Sequence, residues 1–197
     1  MDSKSEAVFR IAVTIVYFGG WILVRLYFQW RLGSVEKTHR QNEGRERLAY
    51  AAVSLAAVPV LFYVSTTWLD STHLVLSPLL RWAGFAIAAV GSFVLIWTHT
   101  VLGKNWSGVL ELSKDHALVK EGPYRLVRHP MYSAFFLMGL GILLCSANWI
   151  VGGVLLGSVT FMYIVRVSDE EKMMLDQFGE AYGRYMNDTG RIVPKFW

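Results

Sequence analysis

Trp82-Ala-Gly-Phe-Ala-Ile-Ala-Ala-Val-Gly-Ser-Phe-Val-Leu-Ile-Trp-Thr-His-Thr-Val101 runs without a lysine, an arginine or a carboxylate. A helix of about 20 such residues spans the ~30 Å hydrocarbon core of a bilayer. The stretch is therefore read as a membrane span. Pro78 and Arg81 place the turns before it, from Leu74 onward, at the interface. The pattern recurs on both sides. Residues 8–30 carry no charges but Arg10 and Arg25, each near an end of the run, where its stem can lift the charge to the headgroups. Residues 48–69 form a second span, in which Pro59 should kink or loosen the helix, and Asp70 to His73 reads as a tight turn. Residues 131–146 and 149–167 are two further apolar runs, separated by Ala147-Asn148. Gly139, Gly141, Gly152, Gly153 and Gly157 suit a hairpin whose backbones approach closely.

Composition agrees. Of 197 residues, 54% are hydrophobic and 17% charged, more apolar surface than a soluble domain of this size can bury. The excess must face lipid, and eight tryptophans suit the two interfaces. The expected fold is all-α, a polytopic membrane protein of about five transmembrane helices. A C-terminal amphipathic helix follows, with Met174, Leu175, Phe178, Tyr182 and Tyr185 at helical spacing. Asp169-Glu170-Glu171 suits that helix's first turn, and Gly190 with Pro194 ends it. The net charge of +4 comes from basic residues gathered in 31–47, 102–130 and the tail. By the positive-inside rule those segments and the C-terminus are cytoplasmic. No nucleic-acid partner is expected. The single cysteine, Cys145, excludes an internal disulfide and reads as a packed thiol. The first apolar run is too long for a signal peptide and no cleavage site follows it. With no linker or repeat, residues 1–197 read as one membrane domain, whose half 102–197 carries the groups for chemistry.

Those groups form two clusters. The first is the run from His116 to Tyr132. Gly122-Pro123 makes a turn, and Pro130 can open a helix because its missing N–H is an orphan there anyway. Arg128, His129 and Tyr132 then lie at a helix N-terminus. The second is Arg166 with Glu170 and Glu171. Arg166 and Glu170 are four apart, so they share a helix face. Taken singly, the clusters fit an interfacial anchor and a surface ion pair. A hairpin, however, returns the fifth helix beside the start of the fourth, and the two converge at one membrane face. No Gly-x-Gly-x-x-Gly follows a strand, which excludes the dinucleotide-fold route to a cofactor; Gly139-Leu-Gly141 sits inside an apolar helix.

The patterns Gly122-Pro-Tyr124-x-x-x-Arg128-His-Pro-Met-Tyr132, Arg166-x-x-x-Glu170-Glu171 and Phe178-Gly-Glu-x-Tyr182 resemble the isoprenylcysteine carboxyl methyltransferase family. Gly103-x-Asn-Trp-Ser107 and Thr189-Gly-Arg-x-x-Pro-Lys195 are similar to its prokaryotic integral-membrane branch. The motifs cover residues 102–197. The resemblance implies methyl transfer from S-adenosyl-L-methionine to the carboxylate of a lipophilic, prenylcysteine-like substrate in the bilayer. It implies a cofactor site of His116, Ala117, Leu118, Val119, Tyr124, His129, Pro130, Met131, Tyr132 and Glu170. Arg166 would face the substrate carboxylate, with Arg128 and Glu171 completing the catalytic set. Glu111 stands in for a polar side chain that eukaryotic members place near Val109. No metal is implied. Phospholipid N-methyltransferases share a version of the pattern, so a lipid amine is the alternative acceptor. A sterol-reductase-like NADPH oxidoreductase and a non-catalytic membrane anchor are the readings from other classes. A carboxylate acceptor is already ionised at neutral pH; an amine would need His129 or a glutamate as base.

Overall fold

The computed structural model describes residues 3–32, 43–103 and 117–195. The first span is one continuous helical rod made of α1 (Ser3–Thr14), a π-helical stretch (Ile15–Leu23) and α2 (Val24–Leu32). The second is α3 (Glu43–Leu55) and α4 (Ala57–Ser65), followed by a 3-10 turn at Asp70–Thr72. Then come α5 (Pro78–Leu102), a 3-10 turn at Gly122–Arg125, α6 (Pro130–Ser146), α7 (Trp149–Phe178) and α8 (Glu180–Asp188). Among the described residues, four stretches are long and apolar enough to cross a membrane: Lys4–Arg31, Arg47–Ser65, Pro78–Leu102 and Trp149–Phe178. With the shorter apolar α6 between the last two, the chain is an all-helical, multi-pass integral membrane protein. Leu26, Leu55, Phe93 and Ile164 point outward from the bundle, as lipid-facing side chains must.

Local chemistry sets the breaks. The second span is interrupted at Ala56, because Pro59 has no N–H to offer the carbonyl of Leu55 one turn earlier. Ser77 caps α5 by accepting from the Leu80 amide at 3.3 Å, with Pro78 at the first helical position. Asn148 caps α7, accepting from the Val151 amide at 3.1 Å and donating to Leu69 O and Thr72 Oγ1 at 2.8 Å. One side chain thereby ends a hairpin and ties it to the earlier turn.

The tightest crossing joins α5 to α6. A Cβ at Gly141 would stand 2.4 Å from the Ala88 amide nitrogen, and one at Gly84 would stand 2.6 Å from that of Cys145. Gly152 is needed in the same way against Leu143, at 2.3 Å. Gly153 and Gly157 have nothing within 4 Å, so two of the glycines expected to pack the hairpin do not. Cys145 is buried in the core, as expected.

Three details go beyond or against the sequence reading. Arg81, in the first turn of α5, is 2% exposed and spends its charge inside the protein. Its guanidinium donates to Cys145 O at 2.8 Å, Ser146 O at 3.2 Å and Glu6 Oε2 at 2.8 Å. It thereby neutralises the C-terminal end of α6, where unpaired carbonyls carry partial negative charge. Arg10 does not reach for headgroups either. It donates to Tyr63 O at 2.8 Å, to Thr66 O and to Asp70, closing α4 in the same manner. Finally, Asp169-Glu170-Glu171 open no helix. α7 runs through them to Phe178, and the break comes at Gly179, whose φ of +52° only glycine adopts readily.

Candidate active site

The start of α6, the far part of α7 and the tail beyond α8 meet at the end of the bundle opposite Arg81. His129 directly precedes α6 and is buried. Its Nδ1 lies 3.4 Å from Glu170 Oε2 and its Nε2 lies 3.4 Å from Glu171 Oε1. A carboxylate at each ring nitrogen asks both nitrogens to donate, which is the imidazolium form. Burial pulls the His129 pKa down, but the hydrogen bonds and charges of Glu170 and Glu171 outweigh it and leave the group raised.

The two glutamates then diverge. Glu170 Oε1 accepts from the Tyr132 hydroxyl at 2.9 Å and from Arg166 Nε at 3.1 Å. Arg166 is 7% exposed. Its Nη1 donates to the Tyr50 hydroxyl at 2.5 Å, and its guanidinium sits 5.3 Å from the centre of the Tyr50 ring. Glu171 instead accepts from Arg128 Nε at 3.0 Å and from Arg191 at 3.1 and 2.7 Å. Arg128 also donates to Met186 O at 3.1 Å and to Thr189 O. Main-chain bonds follow the same seam: the Arg128 amide donates to Gly190 O and the His129 amide to Arg191 O, both at 2.9 Å. Ser133 adds a bond to Ile192 O at 2.6 Å. The tail is thus laced to the entrance of α6, with Glu171 as the charge at its centre.

The segment before α6 lies along α8. Lys120 Nζ donates to Ala181 O at 3.3 Å and the Tyr185 hydroxyl to Tyr124 O at 2.6 Å. Burial, then the charges of Tyr185 and Glu170, push the Tyr124 hydroxyl well above the usual phenol range. Gly122 has φ of +56°, and a Cβ there would meet Val101 Cγ2 at 2.8 Å, so glycine alone docks this turn on α5. Leu118 and Val119 are half-buried and Ala117 is exposed. Pro130 is buried in the first turn of α6, and Met131 packs on the core. His116, Val109, Glu111 and residues 104–107 lie outside the described residues.

The structure therefore brings together Arg128, His129, Tyr132, Arg166, Glu170 and Glu171, with Tyr124 beside them. It adds Tyr50, Arg191 and Arg25, the last of which lies 5.6 Å from the centre of the Tyr50 ring; sequence reasoning placed none of them in the site. Arg191 was visible within Thr189-Gly-Arg191. Tyr50 is 116 residues from Arg166 in the chain, and nothing in its own surroundings marks it.

Residues 82–176 match the family model of the isoprenylcysteine carboxyl methyltransferase (ICMT) family. The match covers a little under half of the chain and takes in the segments that carry Arg128, His129, Tyr132, Arg166, Glu170 and Glu171. Among curated proteins it is similar to the protein-S-isoprenylcysteine O-methyltransferase of Schizosaccharomyces pombe, 32% identical over 47% of this chain and 40% of that one. The Saccharomyces cerevisiae protein of that name is 23% identical over 97% of this chain and 80% of its own. The Tribolium castaneum protein is 29% identical over 56% of this chain and 40% of its own. The chain thus spans well under half of two of these relatives and four-fifths of the third. They are eukaryotic and lend no support to the narrower likeness to the prokaryotic branch. The fold is similar to a solved structure of the eukaryotic intramembrane Ras methyltransferase ICMT. The TM-score is 0.58 at 19% identity, covering 93% of this chain and 67% of that one.

Proposed function

We propose that the chain is a single membrane domain that transfers a methyl group from S-adenosyl-L-methionine to the carboxylate of a lipophilic, prenylcysteine-like acceptor, using residues 102–197 for cofactor and chemistry. The observation that carries this reading is the bonded set of buried Arg166, His129 and Tyr132 with half-buried Glu170 at one end of a lipid-embedded bundle. The family match and the relatives' names support it. The donor set fits the cofactor: carboxylate oxygens for an ammonium and phenol and imidazole edges for a flat base. S-adenosyl-L-methionine, when bound, supplies an electrophilic methyl on a sulfonium.

The protein's share is alignment, which contributes up to roughly 7–11 kcal/mol in ideal systems. Glu170, held by Tyr132 and Arg166, has a fixed orientation and presents its Oε2 side toward His129. Arg166 offers a planar fork to the acceptor's carboxylate in a partly dry site. Arg128 and Glu171 act on the site through the tail they hold, and through His129. No base is needed, because the acceptor carries no proton at neutral pH. Around Glu170 and Glu171 stand Arg166, Arg128, Arg191 and a charged His129. That surplus of cations favours an anionic acceptor over a lipid ammonium. We place this face and the C-terminus on the cytoplasmic side, on the distribution of basic residues.

Titration of the purified protein with S-adenosyl-L-methionine should raise its thermal midpoint, by about 2.7 kcal/mol of added stability at a hundredfold excess over Kd. NADPH should leave it unchanged. A response to NADPH alone would move the assignment to the reductase reading, and a response to neither would favour an anchor.

A further inference from the structure

Tyr50 is flanked by two guanidiniums. Arg166 lies 5.3 Å from its ring centre and Arg25, from α2, lies 5.6 Å away. The Tyr50 hydroxyl accepts from Arg166 Nη1 at 2.5 Å. Each cation is attracted to the ring's negative face, yet the two repel one another across it. Elsewhere arginines drawn into the bundle are neutralised in place: buried Arg81 by Glu6, and half-buried Arg128 by Glu171 and Arg10 by Asp70. Arg25 meets no carboxylate among the described residues, and Arg166 shares its glutamate with Tyr132 and His129. A buried arginine with a half-buried one beside it, at the end of membrane helices, is costly unless anions balance both.

We infer that Arg25 and Arg166 together form the anion-binding clamp for the acceptor's carboxylate, with Tyr50 as the positioning residue that holds Arg166 and spaces the two cations. The inference rests on the carboxyl-methylation reading and extends it to helices outside the matched residues 82–176. In the transfer, a carboxylate oxygen forms a bond to the methyl carbon as the carbon–sulfur bond breaks. The bonding pair leaves on sulfur, and no proton moves. Arg25 is the group that follows the acceptor's charge from the ground state to the neutral ester, so its contribution is to acceptor binding rather than to cofactor binding.

The test uses the full chain in lipid nanodiscs with N-acetyl-S-farnesyl-L-cysteine as acceptor. Tyr50→Phe keeps the ring and removes the hydroxyl. It should raise the acceptor KM about threefold to tenfold with the thermal midpoint and the cofactor Kd unchanged. Arg25→Gln should raise KM about tenfold or more and flatten the salt dependence of kcat/KM, and Arg25→Lys should restore part of it. Transfer by the wild type with an unaltered KM in Tyr50→Phe and Arg25→Gln would overturn the inference alone. So would a KM rise matched by loss of cofactor affinity, which marks a structural role. No transfer by the wild type to this acceptor would overturn the carboxyl-methylation reading, and the clamp with it.

Discussion

At one end of the bundle Arg81 is buried against Glu6; at the other Arg166 is buried against Glu170. Tyrosine and histidine accompany both pairs: Tyr63 and His73 at the first, Tyr132 and His129 at the second. The difference lies in where the hydrogen bonds end. Arg81 donates to two main-chain carbonyls, Cys145 O and Ser146 O, and Arg10 beside it to two more, Tyr63 O and Thr66 O. Those carbonyls belong to helix ends that have no intrahelical partner, so this network closes α4 and α6. Arg166 and Glu170 bond to side chains of the site: Tyr50, Tyr132 and His129. Side chains can exchange one partner for a ligand at the cost of a rotamer change. A helix end that loses its cap has no such substitute. Residue type alone therefore does not separate a staple from a site; the nature of the partners does.

The largest expected effect breaks the staple. Arg81→Met removes the buried cation paired with Glu6 and leaves Cys145 O and Ser146 O, at the end of α6, without their guanidinium donor. The loss should be about 3–5 kcal/mol of stability, seen as a collapse of the thermal midpoint. Protein that remains folded should bind S-adenosyl-L-methionine with its original affinity. A weakened cofactor affinity in the folded fraction would join the two ends into one functional unit and end the contrast.

Glu170→Gln addresses the other end. The amide keeps one acceptor oxygen, so the midpoint should fall less than in Arg81→Met. Cofactor affinity should drop by about 1.5–3 kcal/mol, or roughly tenfold to a hundredfold. Isothermal calorimetry reads this directly, and an unchanged Kd would remove Glu170 from the cofactor pocket.

A smaller effect concerns pH. The His129 pKa is raised in the folded protein above its ordinary 6.5, and Glu170 and Glu171 are the charges that hold it there. A raised basic group contributes stability that is fully present below its unfolded value and is lost as pH rises through its folded value. Stability should therefore decline above about pH 6.5 as the imidazole loses its proton, and His129→Gln should flatten that decline. Midpoints measured across the neutral to mildly alkaline range suffice. A decline of equal size in His129→Gln would assign it to another group.

Much of this was legible beforehand. Apolar run length locates the membrane spans, because the bilayer sets a length that sequence shows directly. The convergence of the His129 and Arg166 clusters follows from hairpin topology. What sequence could not supply was the direction of each arginine. Arg10 and Arg81 sit near helix ends, where a snorkelling side chain and a capping one look alike. Their partners, Tyr63, Asp70 and Cys145, are set by tertiary packing. The same holds for α7. Asp169-Glu170-Glu171 resembles a helix start locally, but the preceding apolar residues have no breaker, so the helix continues to Gly179.

The central claim is the bond that is made. A methyl ester is cleaved by mild base and releases volatile methanol, whereas an N-methyl product does not. Membranes containing the protein are incubated with methyl-labelled S-adenosyl-L-methionine and N-acetyl-S-farnesyl-L-cysteine, the lipid extract is treated with alkali, and the vapour is collected. Label should pass into the vapour, and Arg166→Lys should abolish most of it, since an ammonium cannot offer two parallel donors. Label that stays in the alkali-treated extract would contradict carboxyl methylation and place the methyl group on a lipid amine.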